Sequence, residues 1–255
     1  MDVISSARNP LFRALCQLRD EARERRHTGS ILLDGPHLVQ SLLLSGHLPH
    51  QFILTEAATR QPEIAQLLMQ CPTVPRLWLS EARMSELSEL RTPQGILAIA
   101  ARPQPHLPPS QHAAIMDRIQ DPGNLGTLLR TCAAAGVTEI YLLPGTTDPY
   151  SPRCLRAAMG AHFHLTLHEN PTELSAWLPR RMAVTVLEDS LSLYETDLSG
   201  PWAWVFGNEG QGIDPQLQVK ADARIHIPMA AGTESLNVAA AAAICLFEQR
   251  RRYGA

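Results

Sequence analysis

After residue 112 the chain alternates short apolar runs with helical stretches, and this alternation constrains its fold more than any other feature. Runs of strand length lie at Ala114 to Ile119, Glu139 to Leu143, His164 to Leu167, Ala183 to Leu187, Trp202 to Phe206 and Arg224 to Ile227. Helical patterns separate them at Leu125 to Ala135, Pro152 to Gly160 and Pro171 to Arg180, and one closes the chain at Leu236 to Arg252. Strands joined through helices return to their sheet by crossover, so the pattern predicts an α/β domain built on a parallel sheet.

The first hundred residues repeat the alternation on a smaller scale. A long helix is expected over Pro10 to Arg26, then strands at Ser30 to Leu33, Gln51 to Thr55, Arg76 to Leu79 and Gly95 to Ala100. Helices at Pro36 to Leu44, Pro62 to Gln70 and Glu81 to Leu90 fall between them. The stretch ARPQPHLPPSQH (residues 101–112) carries four prolines and no apolar periodicity, the composition of a semi-rigid linker. The chain therefore divides into a small α/β domain (1–101), a linker (102–112) and a larger domain (113–255).

Composition excludes several classes. No apolar run reaches the roughly 20 residues of a membrane-crossing helix, and the N-terminus has no secretory core, which implies a cytoplasmic protein. Five scattered cysteines without a CxxC pair speak against a disulfide framework and against structural zinc, so no metal is expected. A net charge of −3 excludes coating of nucleic acid by bulk charge, so any nucleic-acid contact must be local. Arginines do cluster, and Arg8, Arg25, Arg26, Arg153 and Arg156 are the candidates for phosphate contact. Asp20, Glu21 and Glu24 interleave the first group, so a solvated helix face with internal ion pairs is the competing reading.

Ligands of parallel α/β sheets sit in the loops after the strands, and three such loops have unusual compositions. In QDPGNLGTLLR (120–130) a tight turn leads through Asn124 into a helix carrying Arg130. In FGNEGQGI (206–213) three glycines surround Glu209, allowing close backbone approach to a ligand. Neither GxGxxG nor GxxxxGK[ST] occurs, which gives no support to a dinucleotide enzyme or a P-loop hydrolase. In IPMAAGTESLNV (227–238) Thr233, Ser235 and Asn237 bunch before a helix with five consecutive alanines. A helix cap explains one of the three, and the alanine run predicts unusually close packing.

Read in order, DPGNLGTLLRTCAAAG (121–136), WVFGNEGQGI (204–213) and IPMAAGTESLNVAAAAAICLFE (227–248) resemble the three motifs of the SpoU (TrmH) branch of the SPOUT superfamily of RNA 2′-O-ribose methyltransferases. SPRCLRAAMGAHF (151–163) is similar to the family's intermediate helix, and the N-terminal half to its substrate-binding domain, which is L30e-like. The resemblance implies a catalytic domain with a deep C-terminal trefoil knot and a homodimer whose active site draws on both subunits. It implies S-adenosyl-L-methionine as cofactor, held chiefly by backbone groups around Gly207, Gly212, Ile227, Met229 and Leu236. It assigns catalysis to Arg130 with Asn124, Glu209, Ser235 and Asn237.

A guanidinium stays protonated, so Arg130 is expected to grip a phosphate and the developing alkoxide rather than act as base, with Glu209 orienting it through an ion pair. The resemblance points to 23S ribosomal RNA as substrate, with transfer RNA, a knotted base methyltransferase or a catalytically silent RNA-binding protein as alternatives.

Overall fold

The computed structural model of the protein describes residues 2–104, 111–171, 180–233 and 235–253. Most of the proline-rich linker (105–110) and most of the helix expected over Pro171 to Arg180 lie outside the described residues. The chain forms two units, one of Met1–Pro103 with Asp148–Phe163, the other of Gln104–Thr147 with His164–Ala255.

In the first unit five strands, β1 (Val3–Ile4), β2 (Ser30–Asp34), β3 (Gln51–Leu54), β4 (Arg76–Leu79) and β5 (Ile96–Ala101), form a sheet of order β1-β4-β3-β5-β2. β5 runs antiparallel to both neighbours, with Leu32 opposite Ile99 and Phe52 opposite Ala98. The first helix, α1 (Pro10–Asp20), starts where the sequence predicts, with Pro10 in its first turn and the Asn9 side chain accepting from Leu11 N at 2.9 Å. Its Phe12, Leu15 and Leu18, spaced at three residues, are buried with Leu32, Ile53 and Leu97.

The single helix expected over Pro10 to Arg26 is interrupted. Glu21 is extended (φ −107°, ψ 113°), and a separate α2 (Ala22–Thr28) follows. The break frees carbonyls at the end of α1, and Arg25 turns inward to cap them, donating to Leu18 O at 2.8 Å and Arg19 O at 2.5 Å. Helices α3 (Pro36–Leu44), α4 (Pro62–Gln70) and α5 (Glu81–Leu87) complete the elements anticipated before the linker. Residues 148–163, which the sequence reading placed in the larger domain, pack in this first unit. Their helix α7 (Pro152–Ala158) lies against β2, Asp148 pairs with Arg25, and the Arg102 guanidinium sits 4.4 Å above the Tyr150 ring.

The second unit carries seven parallel strands: β6 (Ala113–Asp117), β7 (Glu139–Leu142), β8 (Thr166–Glu169), β9 (Arg181–Thr185), β10 (Leu191–Ser192), β11 (Trp202–Gly207) and β12 (Ala223–His226). Their order is β10-β12-β9-β11-β6-β7-β8. From β6 the chain steps outward through β7 and β8, then β9 is laid down on the other side, so the direction reverses beside β11. Crevices at such reversals hold ligands. Both faces are covered: α8 (Pro215–Lys220) packs on β9, while α9 (Val238–Tyr253) packs on β11 and lies along α6 (Pro122–Ala135). The expected close approach of the alanine helix is present, with Ala239, Ala242 and Cys245 buried.

On that same face Trp204 Nε1 donates to Gln249 Oε1 at 2.7 Å, and Gln249 Nε2 reaches His112 Nδ1 at 3.1 Å. Burial, with the charge of Arg180, holds His112 below the ordinary histidine pKa, matching a neutral ring that accepts at Nδ1. Among the described residues no helix is long and apolar enough to cross a membrane.

Candidate functional site

The three unusual loops leave β6, β11 and β12, which lie close together in the sheet order β12-β9-β11-β6. Helix α6 begins at Pro122 and is capped by Asp121, whose Oδ1 accepts from Asn124 N at 2.9 Å. Because Asp121 caps the helix, the Asn124 side chain is released from that task. It donates to Glu209 Oε1 at 2.5 Å and accepts from Asn237 Nδ2 at 3.0 Å. Asn237 in turn accepts from Ala239 N at 2.9 Å and Ala240 N at 3.4 Å, capping α9. One row of side chains, Glu209, Asn124 and Asn237, thereby ties together the three loops read from the sequence.

Beside this row lies a cavity of about 800 Å³. All five residues expected around a cofactor, Gly207, Gly212, Ile227, Met229 and Leu236, line it, as do Glu209, Ser235 and Asn237. Backbone forms much of the wall because the β11 loop folds tightly. A Cβ on Gly207 would stand 2.6 Å from Gly212 C and 2.6 Å from Ile213 Cγ1, and Gly212 has φ +67°, a conformation glycine adopts without cost. Thr185, Leu187, Glu188, Arg224 and His226 complete the far wall; the sequence reading named none of them as site residues. Size and mixed character place the cavity in the range of small-molecule sites.

Arg130 differs from the expectation. It is exposed on α6 and makes no hydrogen bond or ion pair among the described residues, and Glu209 pairs with Asn124 instead. The reason is helical geometry: six residues after Asn124, Arg130 lies about 240° further round the axis, on the exposed stripe of Thr127 and Ala134.

Of the arginines assigned to RNA, Arg8, Arg26 and Arg153 are exposed and Arg156 is half-buried. Arg156 stands 3.9 Å from Glu89. Arg25 is a correction: it is only 3% exposed, and besides capping α1 it donates from Nε and Nη2 to Asp148 Oδ2 at 2.8 and 2.5 Å. It is a structural clasp, not a surface contact. The sequence could not reveal this, since its partner lies 123 residues away.

Comparison with known proteins places the chain among a group of RNA-modifying enzymes. Residues 111–247 match the SpoU rRNA Methylase family, and residues 9–98 match the MRM3-like substrate binding domain. The chain is 35% identical to the 23S rRNA (guanosine(2553)-2'-O)-methyltransferase RlmP of Bacillus subtilis, over 98% of this chain and 100% of that protein. It is 28% identical to the mitochondrial rRNA methyltransferase 3 of Mus musculus, over 89% of this chain and 69% of that one. Among solved structures, an AdoMet-bound rRNA methyltransferase from Sinorhizobium meliloti is 29% identical with a TM-score of 0.84, covering 98% of this chain and 97% of that chain.

Proposed function

Because the chain belongs to the SpoU rRNA Methylase family, we propose that it transfers the methyl group of S-adenosyl-L-methionine to a ribose 2′-hydroxyl of 23S ribosomal RNA. The observation that carries this reading is the Glu209–Asn124–Asn237 row at the cavity, which joins three loops of the family motifs into one site. The full-length likeness to a 23S rRNA 2′-O-methyltransferase favours ribosomal over transfer RNA.

The residues present fit the cofactor. Leu187, Ile227 and Leu236 offer apolar side chains for a purine, and the backbone of Gly207 and Gly212 offers polar groups at close range. When bound, the cofactor supplies an electrophilic methyl on a sulfonium.

What the protein must add is alignment and charge stabilisation, because a ribose hydroxyl is a weak acid and displacement at carbon is in line. Asn124 has its amide orientation fixed from both sides, so it presents a defined edge to ribose. Ser235 and Asn237 stand on the same rim. Arg130, which has no partner among the described residues, is available for a phosphate and the alkoxide forming beside it, while a phosphate oxygen or water takes the proton. The exposed position of Arg130 supports the homodimer: on the far side of α6 from Asn124, it serves a site composed with a second copy. The same reading includes the C-terminal trefoil knot, which the buried alanines of α9 support.

The N-terminal domain (1–101) selects the RNA, with Arg8, Arg26, Arg153 and Arg156 as phosphate contacts and residues 113–255 as the catalytic domain. A cytoplasmic location goes with that substrate. The test is transfer of labelled methyl from S-adenosylmethionine to RNA of a strain lacking the gene, followed by nucleoside analysis. Label in a 2′-O-methylnucleoside of 23S RNA is expected; label on a base would contradict the reading.

A further inference from the structure

We infer that Arg118 is the positioning residue of the cofactor loop, a latch that fixes residues 208–214 onto the end of β6; the inference rests on the cofactor reading above. β6 ends at Asp117, which is buried. Its carboxylate accepts three donors: Arg118 Nε on Oδ1 at 2.9 Å, Arg118 Nη2 on Oδ2 at 3.0 Å, and Asp214 N on Oδ2 at 2.7 Å. The pair is bidentate, the geometry that fixes a guanidinium plane.

Arg118 itself meets the loop at three points, one of them Nη2 donating to Gly212 O at 3.5 Å. Its Nη1 donates to Gln211 Oε1 at 3.2 Å, and its carbonyl accepts from Asn208 Nδ2 at 3.0 Å. The loop is otherwise closed on itself. Asn208 Oδ1 accepts from Gly210 N and Gln211 N, both at 2.9 Å, and Gly212 N donates to Asn208 O at 2.8 Å. Asn208, Gln211 and Asp214 thus all bond to the Asp117–Arg118 dipeptide, and the first two line the cavity while Arg118 does not. Glu209 rides on the same loop, so the latch also sets where the Asn124 row begins.

The backbone supplies an independent sign. Arg118 has φ +56°, a left-handed conformation that disfavours a side chain and suits glycine. Gly145 stands against its stem, where an added Cβ would lie 3.1 Å from Arg118 Cγ. An arginine held there, with three of its polar groups engaged, contributes through the side chain what a glycine would contribute through conformational ease.

The experiment is calorimetric titration of S-adenosylmethionine into the full chain and its Arg118→Gly and Arg118→Lys variants, with melting curves and steady-state constants for cofactor and RNA. Arg118→Gly relieves the backbone while removing the latch. It is expected to melt below the parent, because the buried Asp117 carboxylate keeps only Asp214 N as donor, and, titrated at a temperature where both proteins are folded, to bind cofactor about tenfold or more weakly once the side-chain bonds to the loop are gone. KM for the cofactor rises with KM for RNA unchanged, and Arg118→Lys recovers part of the loss. Equal affinity of parent and Arg118→Gly overturns the inference, as does a melting loss that accounts for the whole change. Failure of the parent itself to bind cofactor overturns the cofactor reading instead, and the inference with it.

Discussion

Asn124 donates a 2.5 Å hydrogen bond to Glu209, eighty-five residues further along the chain, while Asp121 rather than Asn124 caps the helix that both asparagine and aspartate begin. The division of labour matters, because it leaves both ends of the Asn124 amide to the neighbouring loops, Nδ2 for Glu209 and Oδ1 for Asn237. Asn124→Ala removes the centre of the row and two hydrogen bonds. At about 1 kcal/mol each, methyl transfer is expected to fall roughly 30-fold with little change in melting. Asn124→Asp sets a carboxylate against Glu209 and costs more. Steady-state rates of both variants at saturating RNA check this.

Arg25 and Arg26 are adjacent yet predicted to behave oppositely. Arg25→Ala leaves Asp148 partly buried without its partner and uncaps α1, which costs about 3–5 kcal/mol of stability, while RNA affinity per folded molecule is unchanged. Arg26→Ala, at an exposed site, weakens RNA binding and leaves melting unchanged. Denaturant unfolding and filter binding of the two variants separate the roles.

His162 controls the acid limb of stability. Buried, with Nε2 donating to Pro149 O at 2.7 Å, it has its pKa pushed down from 6.5 to about 4 by desolvation. The unfolded chain takes up this proton below pH 6.5 while the folded chain does not, so stability is complete above pH 6.5 and falls as pH drops toward 4. The loss from this group is about 3 kcal/mol. His162→Phe should flatten that part of the profile, and urea midpoints between pH 7 and 4.5 would show it.

Gly207→Ala tests the tight fold of the β11 loop. The new methyl meets backbone of Gly212 at 2.6 Å, which no side-chain rotation relieves. Cofactor affinity is expected to fall at least about tenfold, with the loop displaced outward. Calorimetric titration measures it directly.

The sequence was most legible where local rules and function agree. The strand and helix alternation gave the parallel sheet, and the loops holding Asn124, Glu209 and Asn237 were identifiable because turns and caps alone do not require their residues. The break at Glu21 was not legible. No glycine or proline marks residues 19–28, and the Arg25 side chain that caps the broken end of α1 is held by Asp148, far along the chain. For the same reason Arg25 read as a surface charge: burial of a long cation depends on a partner distant in sequence. Arg118 carries no local signal, since only the assembled sheet shows that its backbone is left-handed and its side chain faces Gln211. The two-residue β10 and the short α8 are too brief for a periodicity to register. Arg130 was correctly placed on a helix, but its distance round the axis from Asn124 excluded the expected ion pair with Glu209.

The most direct test of the central claim is mapping of ribose methylation along 23S RNA from a strain lacking the gene, complemented with the parent gene or with Asn124→Ala. A 2′-O-methylnucleoside is expected to be lost on deletion, to return with the parent gene, and to return weakly or not at all with the variant. An unchanged set of 2′-O-methyl positions after deletion would contradict it.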